Sequence, residues 1–249
     1  MKLSIARGLI LLLVALTLSA CASRGANSEA QTSAERYVEI GFRHLQFDNA
    51  AQARIAFREA MSFHPQSPSA HLGLALVYQR EGEPELAEDY FKRSMRLSSD
   101  TQNRHLYAQF LFRQNRIEEA RKELLVVVAD TDFFDRAVAF EDLAIVSLFL
   151  DDKVNAKTYF DRAITLNKML PMPYWHMANL HLNDGNPRRA MAYFDGFQSL
   201  VSSDLVTHTE ESLILGVRVN EAMQRQEAYA DLLEQLKERF PNSNYLRNN

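Results

Sequence analysis

Ala53-Arg54-Ile55-Ala56-Phe57-Arg58-Glu59-Ala60 sets a small residue, an aromatic four positions later, and a second small residue three further on. Spacings of four and three put all three on one face of an α-helix. The pattern returns at Ala87, Phe91 and Ser94, at Ala156, Phe160 and Ala163, and at Ala190 and Phe194. Leucine replaces the aromatic at Ala120–Leu124 and Ala228–Leu232. Successive alanines lie 34, 33, 36, 34 and 38 residues apart, and twelve residues ahead of each sits another small residue: Gly41, Ala75, Ala108, Ala144, Ala178 and Gly216.

Two small positions per unit have one physical use. Where two helices cross closely, little side chain fits at the crossing, and an aromatic one turn away fills the space beside it. Between the paired positions stand turn residues: Asp48-Asn49, Gly82-Glu83-Pro84, Asn115-Arg116, Asp151-Asp152 and Asp184-Gly185-Asn186-Pro187. Pro65 stands where the first unit's second helix should stop. These features resemble the tetratricopeptide repeat, a helix–turn–helix unit of about 34 residues. Tyr37, Gly41, Ala53, Phe57, Ala60 and Pro65 carry the resemblance in the first unit, while the third and sixth units are degenerate. The expected fold is all-α, a superhelical stack of about six such repeats over residues 34–246.

Outside that stack, the amino terminus reads as an address. Lys2 and Arg7 precede an apolar run from Leu9 to Leu18, too short for a comfortable membrane-spanning helix. Leu18-Ser19-Ala20-Cys21 follows, resembling a lipobox, and Cys21 is the sole cysteine of the chain. Residues 1–20 are therefore expected to be a lipoprotein signal peptide and Cys21 the lipidated residue. Ala22, rather than an aspartate, favours the inner leaflet of the outer membrane, on the periplasmic face. Residues 22–33 are small and polar, and with Cys21 they are expected to form a flexible tether.

Net charge is −4, and residues 1–20 hold two bases and no acid, so the remainder is more acidic still. Phosphate-backbone binding needs clustered Lys and Arg, so nucleic acid is excluded as an expected partner. A lone cysteine cannot pair within the chain. No P-loop, nucleophile elbow or Cys–His pair occurs, and His176 and His181 stand five apart, a poor fit to two ligands on one helix face. No catalytic residue, cofactor site or metal site is expected, and the protein reads as a non-enzyme that holds another protein.

In such stacks the first helices line the concave side. The register there gives Leu72 and Leu76 in unit two, and His105, Gln109 and Phe112 in unit three. It gives Glu141, Ile145 and Leu148 in unit four, and Trp175, Asn179 and Leu182 in unit five. Leu72, Leu76, Phe112, Ile145, Trp175 and Leu182 are the expected partner-binding groove, with Trp175 its anchor; tight curvature burying them against one another is the competing reading. Asp130-Thr131-Asp132-Phe133-Phe134-Asp135 fills a stretched interval between units three and four, where the two phenylalanines either tuck back or make contact.

Longer strings resemble the PilF/PilW family of type IV pilus biogenesis lipoproteins. Phe140-Glu141-Asp142-Leu143-Ala144-Ile145-Val146-Ser147-Leu148 is similar to that family's Phe-Glu-Asn-Leu-Gly-x-Val-Ser-Leu, and residues 156–167, Leu215-Gly216-Val217-Arg218 and Phe240-Pro241-Asn242-Ser243 also fit. Asp142, Ala144 and Ala108 depart from it. The resemblance implies a pilotin that binds secretin subunits and promotes their outer-membrane localisation and multimerisation. The alternative is a general periplasmic scaffold lipoprotein for outer-membrane protein or cell-wall enzyme complexes.

Overall fold

A computed structural model of the chain describes residues 28–248, and all regular structure among them is helical. Two compact units result, one ending at Asn103 and one starting at Arg104. The first holds α1 (28–46), α2 (Ala50–Phe63), α3 (Pro68–Glu81) and α4 (Pro84–Leu97). The second holds most of α5 (Thr101–Arg113), then α6 (Ile117–Ala129), α7 (Arg136–Phe149) and α8 (Lys153–Leu166). It continues with α9 (Pro171–Asn183), α10 (Pro187–Ser202), α11 (Glu210–Ala222), α12 (Gln226–Arg239) and the short α13 (Asn244–Asn248). The helices follow one another as helix–turn–helix pairs of the tetratricopeptide kind. None of the described helices is long and apolar enough to cross a membrane.

Every intra-pair turn is built the same way. Asp48, Gly82, Asn115, Asp151, Gly185 and Gln224 all take a left-handed backbone, with φ between 56° and 77°. Each donates its N–H back three residues, and the next N–H reaches five back: Gly82 to the Gln79 carbonyl at 3.3 Å, Glu83 to that of Tyr78 at 2.9 Å. This double bond satisfies carbonyls that the helix end leaves open. Gly, Asn and Asp tolerate the left-handed region best, so the turn residues seen in the sequence are the ones this geometry requires. Helix starts are equally local. Asn49, Ser67, Asp152 and Thr209 accept from backbone N–H groups of the first turn, and Pro68, Pro84, Pro171 and Pro187 open four helices.

The expected crossings are occupied as spaced. Ala53, Ala75, Ala87, Ala108, Ala120, Ala144, Ala156, Ala178 and Ala190 are all wholly buried. A Cβ on Gly41 would stand 2.5 Å from the Phe57 ring, and one on Gly73 would stand 2.2 Å from it. Phe57 is thus a wedge between α1 and α3, and burying such a ring contributes roughly 1.5–3 kcal/mol. Phe160 does the same in the second unit, stacked on His176 with ring centroids 4.9 Å apart.

Two expectations need correction. The sixth pair is one residue out of the register read from small side chains. Its turn, through Gln224 and the Arg225 N–H bonded to Asn220, aligns Val217 and Tyr229 with Gly41 and Ala53. Gly216 serves a different approach, since a Cβ there would meet Phe194 at 2.4 Å and Leu232 at 2.9 Å, while Ala228 is only half-buried. The tether is also shorter than 21–33, because residues 28–33 are already helical. Thr32 Oγ1 donates to the Ser28 carbonyl, Gln31 bonds Glu35, and Ala34 is buried. No Gly or Pro follows Gly25 to break that first turn. Cys21 and the signal segment 1–20 lie outside the described residues.

Candidate functional site

A cavity of about 330 Å³ opens in the second unit, lined by Ala108, Gln109, Phe112, Arg113, Leu124, Asp142, Ile145 and Val146. Helical spacing builds it. His105, Gln109 and Phe112 share one face of α5, and Asp142, Ile145 and Phe149 share one face of α7. Phe112 meets Phe149 edge-on at 5.0 Å, and Phe149 is 65% exposed. An aromatic step therefore leads from the surface to the apolar wall formed by Phe112 and Ile145.

The same two faces also carry charge and polar groups. Asp142 Oδ2 lies 2.8 Å from His105 Nε2 and accepts a bond of the same length from Gln109 Nε2. His105 is buried, and the ring of Phe133 meets it edge-on at 5.5 Å. The imidazole is thus held as a fixed support for the carboxylate. Glu141 stands beside Asp142 and has no hydrogen-bond or ion-pair partner among the described residues. Burial first, and the neighbouring Asp142 charge second, push its carboxyl up to about 7. Among the described residues no three His, Cys, Asp or Glu side chains come together as a metal site. The arrangement suits recognition: an apolar recess with a carboxylate fixed at its edge.

Residues 44–127 match the family described as anaphase-promoting complex, cyclosome, subunit 3. The type IV pilus assembly protein PilF of Pseudomonas aeruginosa is 32% identical over 246 residues, covering 95% of each chain. This chain belongs to the PilF family. The solved structure of Pseudomonas aeruginosa PilF superimposes with a TM-score of 0.79 at 31% identity, covering 86% of this chain and 95% of that one. PilW, a type IV pilus biogenesis factor, gives 0.72 at 22% identity over 86% of this chain and 97% of its own, a likeness of fold alone.

Within this PilF-family chain the six expected groove residues fall into three places. Phe112 and Ile145 share the cavity. Leu72, buried, and Leu76, half-buried, lie on α3 of the first unit. Trp175 and Leu182 are half-buried on α9 and pack against the core cluster of α10, α11 and α12. The Trp175 ring also meets His176 edge-on at 4.9 Å. His176 itself is held down to about 4 by burial and fills space beside Phe160; His181, lowered by burial, stacks on Tyr193.

The inserted segment divides its two phenylalanines. Phe133 tucks in at 8% exposure, whereas Phe134 stands out at 83%. The segment is pinned by the Asp132 N–H on Asp130 Oδ1 at 3.0 Å and by Arg136 Nε donating to the Val128 carbonyl at 2.8 Å. Asp142 was not among the expected groove residues. Its signal in the sequence is its position three before Ile145 and seven before Phe149.

Proposed function

We propose that this chain is a pilotin: it binds secretin subunits through its helix pairs and promotes their outer-membrane localisation and multimerisation for type IV pilus biogenesis. Membership of the PilF family along 95% of the chain carries this reading. The cavity between α5 and α7 supports it with a recess able to take side chains of another protein. In this reading, lipid on Cys21 places the protein on the periplasmic face of the outer membrane. Acyl chains contribute about 0.8 kcal/mol per buried methylene, and several chains hold stably.

With only six residues between Cys21 and Ser28, the first helix begins within about 25 Å of the lipid. A captured secretin subunit would travel with the anchor and be released beside its own membrane. Deleting the gene should abolish surface pili and twitching and leave secretin as monomer in outer-membrane fractions. Normal piliation with normal secretin multimers would reject the pilotin reading and favour a general periplasmic scaffold. Cys21→Ser should block palmitate labelling and return the secretin defect; continued labelling would refute the anchor.

A further inference from the structure

The α5–α7 cavity carries more than a generic apolar recess, because its charges are unequally satisfied. Both protein donors to Asp142 fall on Oδ2, so Oδ1 accepts from no protein group among the described residues. Glu141, next along the helix, is likewise without a partner. An unpaired, partly desolvated carboxylate costs free energy unless something cationic covers it. Here Asp142, with Oδ1 free of protein donors, lines a recess together with Phe112 and Ile145, and Glu141 precedes it on α7 outside that lining. His105 and Gln109 hold Asp142 in place before any ligand arrives, and preorganisation of this sort raises affinity by reducing what must be ordered on binding.

We propose that this cavity takes a short partner segment in which an apolar side chain lies within one or two residues of a lysine or arginine. The apolar side chain fills the space between Phe112 and Ile145, the cation bonds Asp142 Oδ1, and the neighbouring Glu141 adds to the negative charge that attracts it. Phe149, exposed at the mouth, covers the stem of the basic residue. This rests on the reading of the site as a grip for another protein, and adds which chemistry it selects. Arg113, on the cavity rim, is the competing charge and would favour acidic segments instead.

The test is selection of a random-peptide phage library on the full chain in detergent, followed by affinity measurement for the selected peptides. Selected sequences should pair an apolar residue with Lys or Arg. Their binding should weaken about tenfold on Asp142→Asn, the loss of one charge-assisted bond, and weaken with added salt. Because Asp142 also supports His105 and Gln109, Glu141→Gln is the second variant; it breaks no bond within the protein and should weaken the same peptides several-fold. Selection of acidic peptides, or equal binding by wild type and both variants, would overturn the proposal. Secretin capture from membrane extracts by the same three proteins separates the two readings: capture retained in full by both variants sinks the cavity's charge selection and leaves the pilotin reading standing. Basic-apolar selection without any secretin capture would support the cavity and reject the pilotin.

Discussion

Replacing Glu141 by glutamine should make the protein more stable, by a margin that opens above pH 4.5 and is full above about pH 7. The folded chain holds this carboxyl at about 7 against an ordinary value of 4.5, through burial and the adjacent Asp142. At about 1.4 kcal/mol for each tenfold change in a protonation constant, that displacement corresponds to about 3 kcal/mol. Residual solvent contact trims it to about 2 kcal/mol. The sign follows from linkage. Below pH 4.5 the group is protonated folded or unfolded, and costs nothing.

Between 4.5 and 7 the unfolded chain ionises first, so stability falls as pH rises; above 7 the full penalty is present. Glutamine keeps the shape and removes the charge. Thermal unfolding of the full chain in detergent, followed by far-ultraviolet circular dichroism, should show Glu141→Gln melting about 4–8 °C higher at pH 8. At pH 4.5 the two proteins should melt together. Titrating groups away from Glu141 are common to both and drop out of the difference, while the coupling to Asp142 is part of the effect measured. An equal gain at both pH values would place the effect in packing, and a loss at pH 8 would mean that Glu141 already has a cationic partner; either would refute the reasoning.

His176 gives the opposite slope: burial holds it neutral down to about 4, so its stabilisation is whole above pH 6.5 and is lost as pH falls towards 4, by about 2 kcal/mol in all after the same discount for solvent contact. His176→Phe, which keeps a ring on Phe160, should flatten the decline of the urea midpoint between pH 7 and 4; an unaltered decline would place the acid sensitivity elsewhere. Gly41→Ala puts a methyl 2.5 Å from the Phe57 ring and should cost about 1–3 kcal/mol by overpacking, outweighing the helical preference for alanine. A raised melting temperature would show that the ring yields freely. Gln224→Gly relieves a left-handed residue at φ 57° and should raise stability by about 0.5–1 kcal/mol, with Gly82→Ala lowering it by a similar amount; equal and absent effects would remove the turn argument.

What the sequence carried was spacing. Ala53, Ala87, Ala120, Ala156 and Ala190 are found where their intervals put them, because a helix crossing tolerates only small side chains and so records itself in the chain. The sixth pair misled for the same reason. Gly216 is small to admit Phe194 and Leu232, and a small residue looks alike whichever neighbour made it necessary. The turn hydrogen bonds, which composition cannot show, fix the register at Val217 and Tyr229.

The tether failed at its boundary, since polar residues such as Gln31 and Thr32 serve a helix start as well as a linker. Phe133 and Phe134 do pack edge-on, with ring centroids 5.7 Å apart, yet only Phe133 is buried and meets His105. The charged edge of the cavity was least legible. Glu141 and Asp142 are two ordinary acids in sequence, and their meaning lies in which oxygen already has a donor and which has none. A repeat stack keeps its crossings constant in order to stand, so those positions cannot tell one partner from another. The discrimination has to reside in side chains that the stack leaves unsatisfied, and at the α5–α7 cavity those include Asp142 Oδ1 and the gap beside Phe112, with Glu141 one position before Asp142.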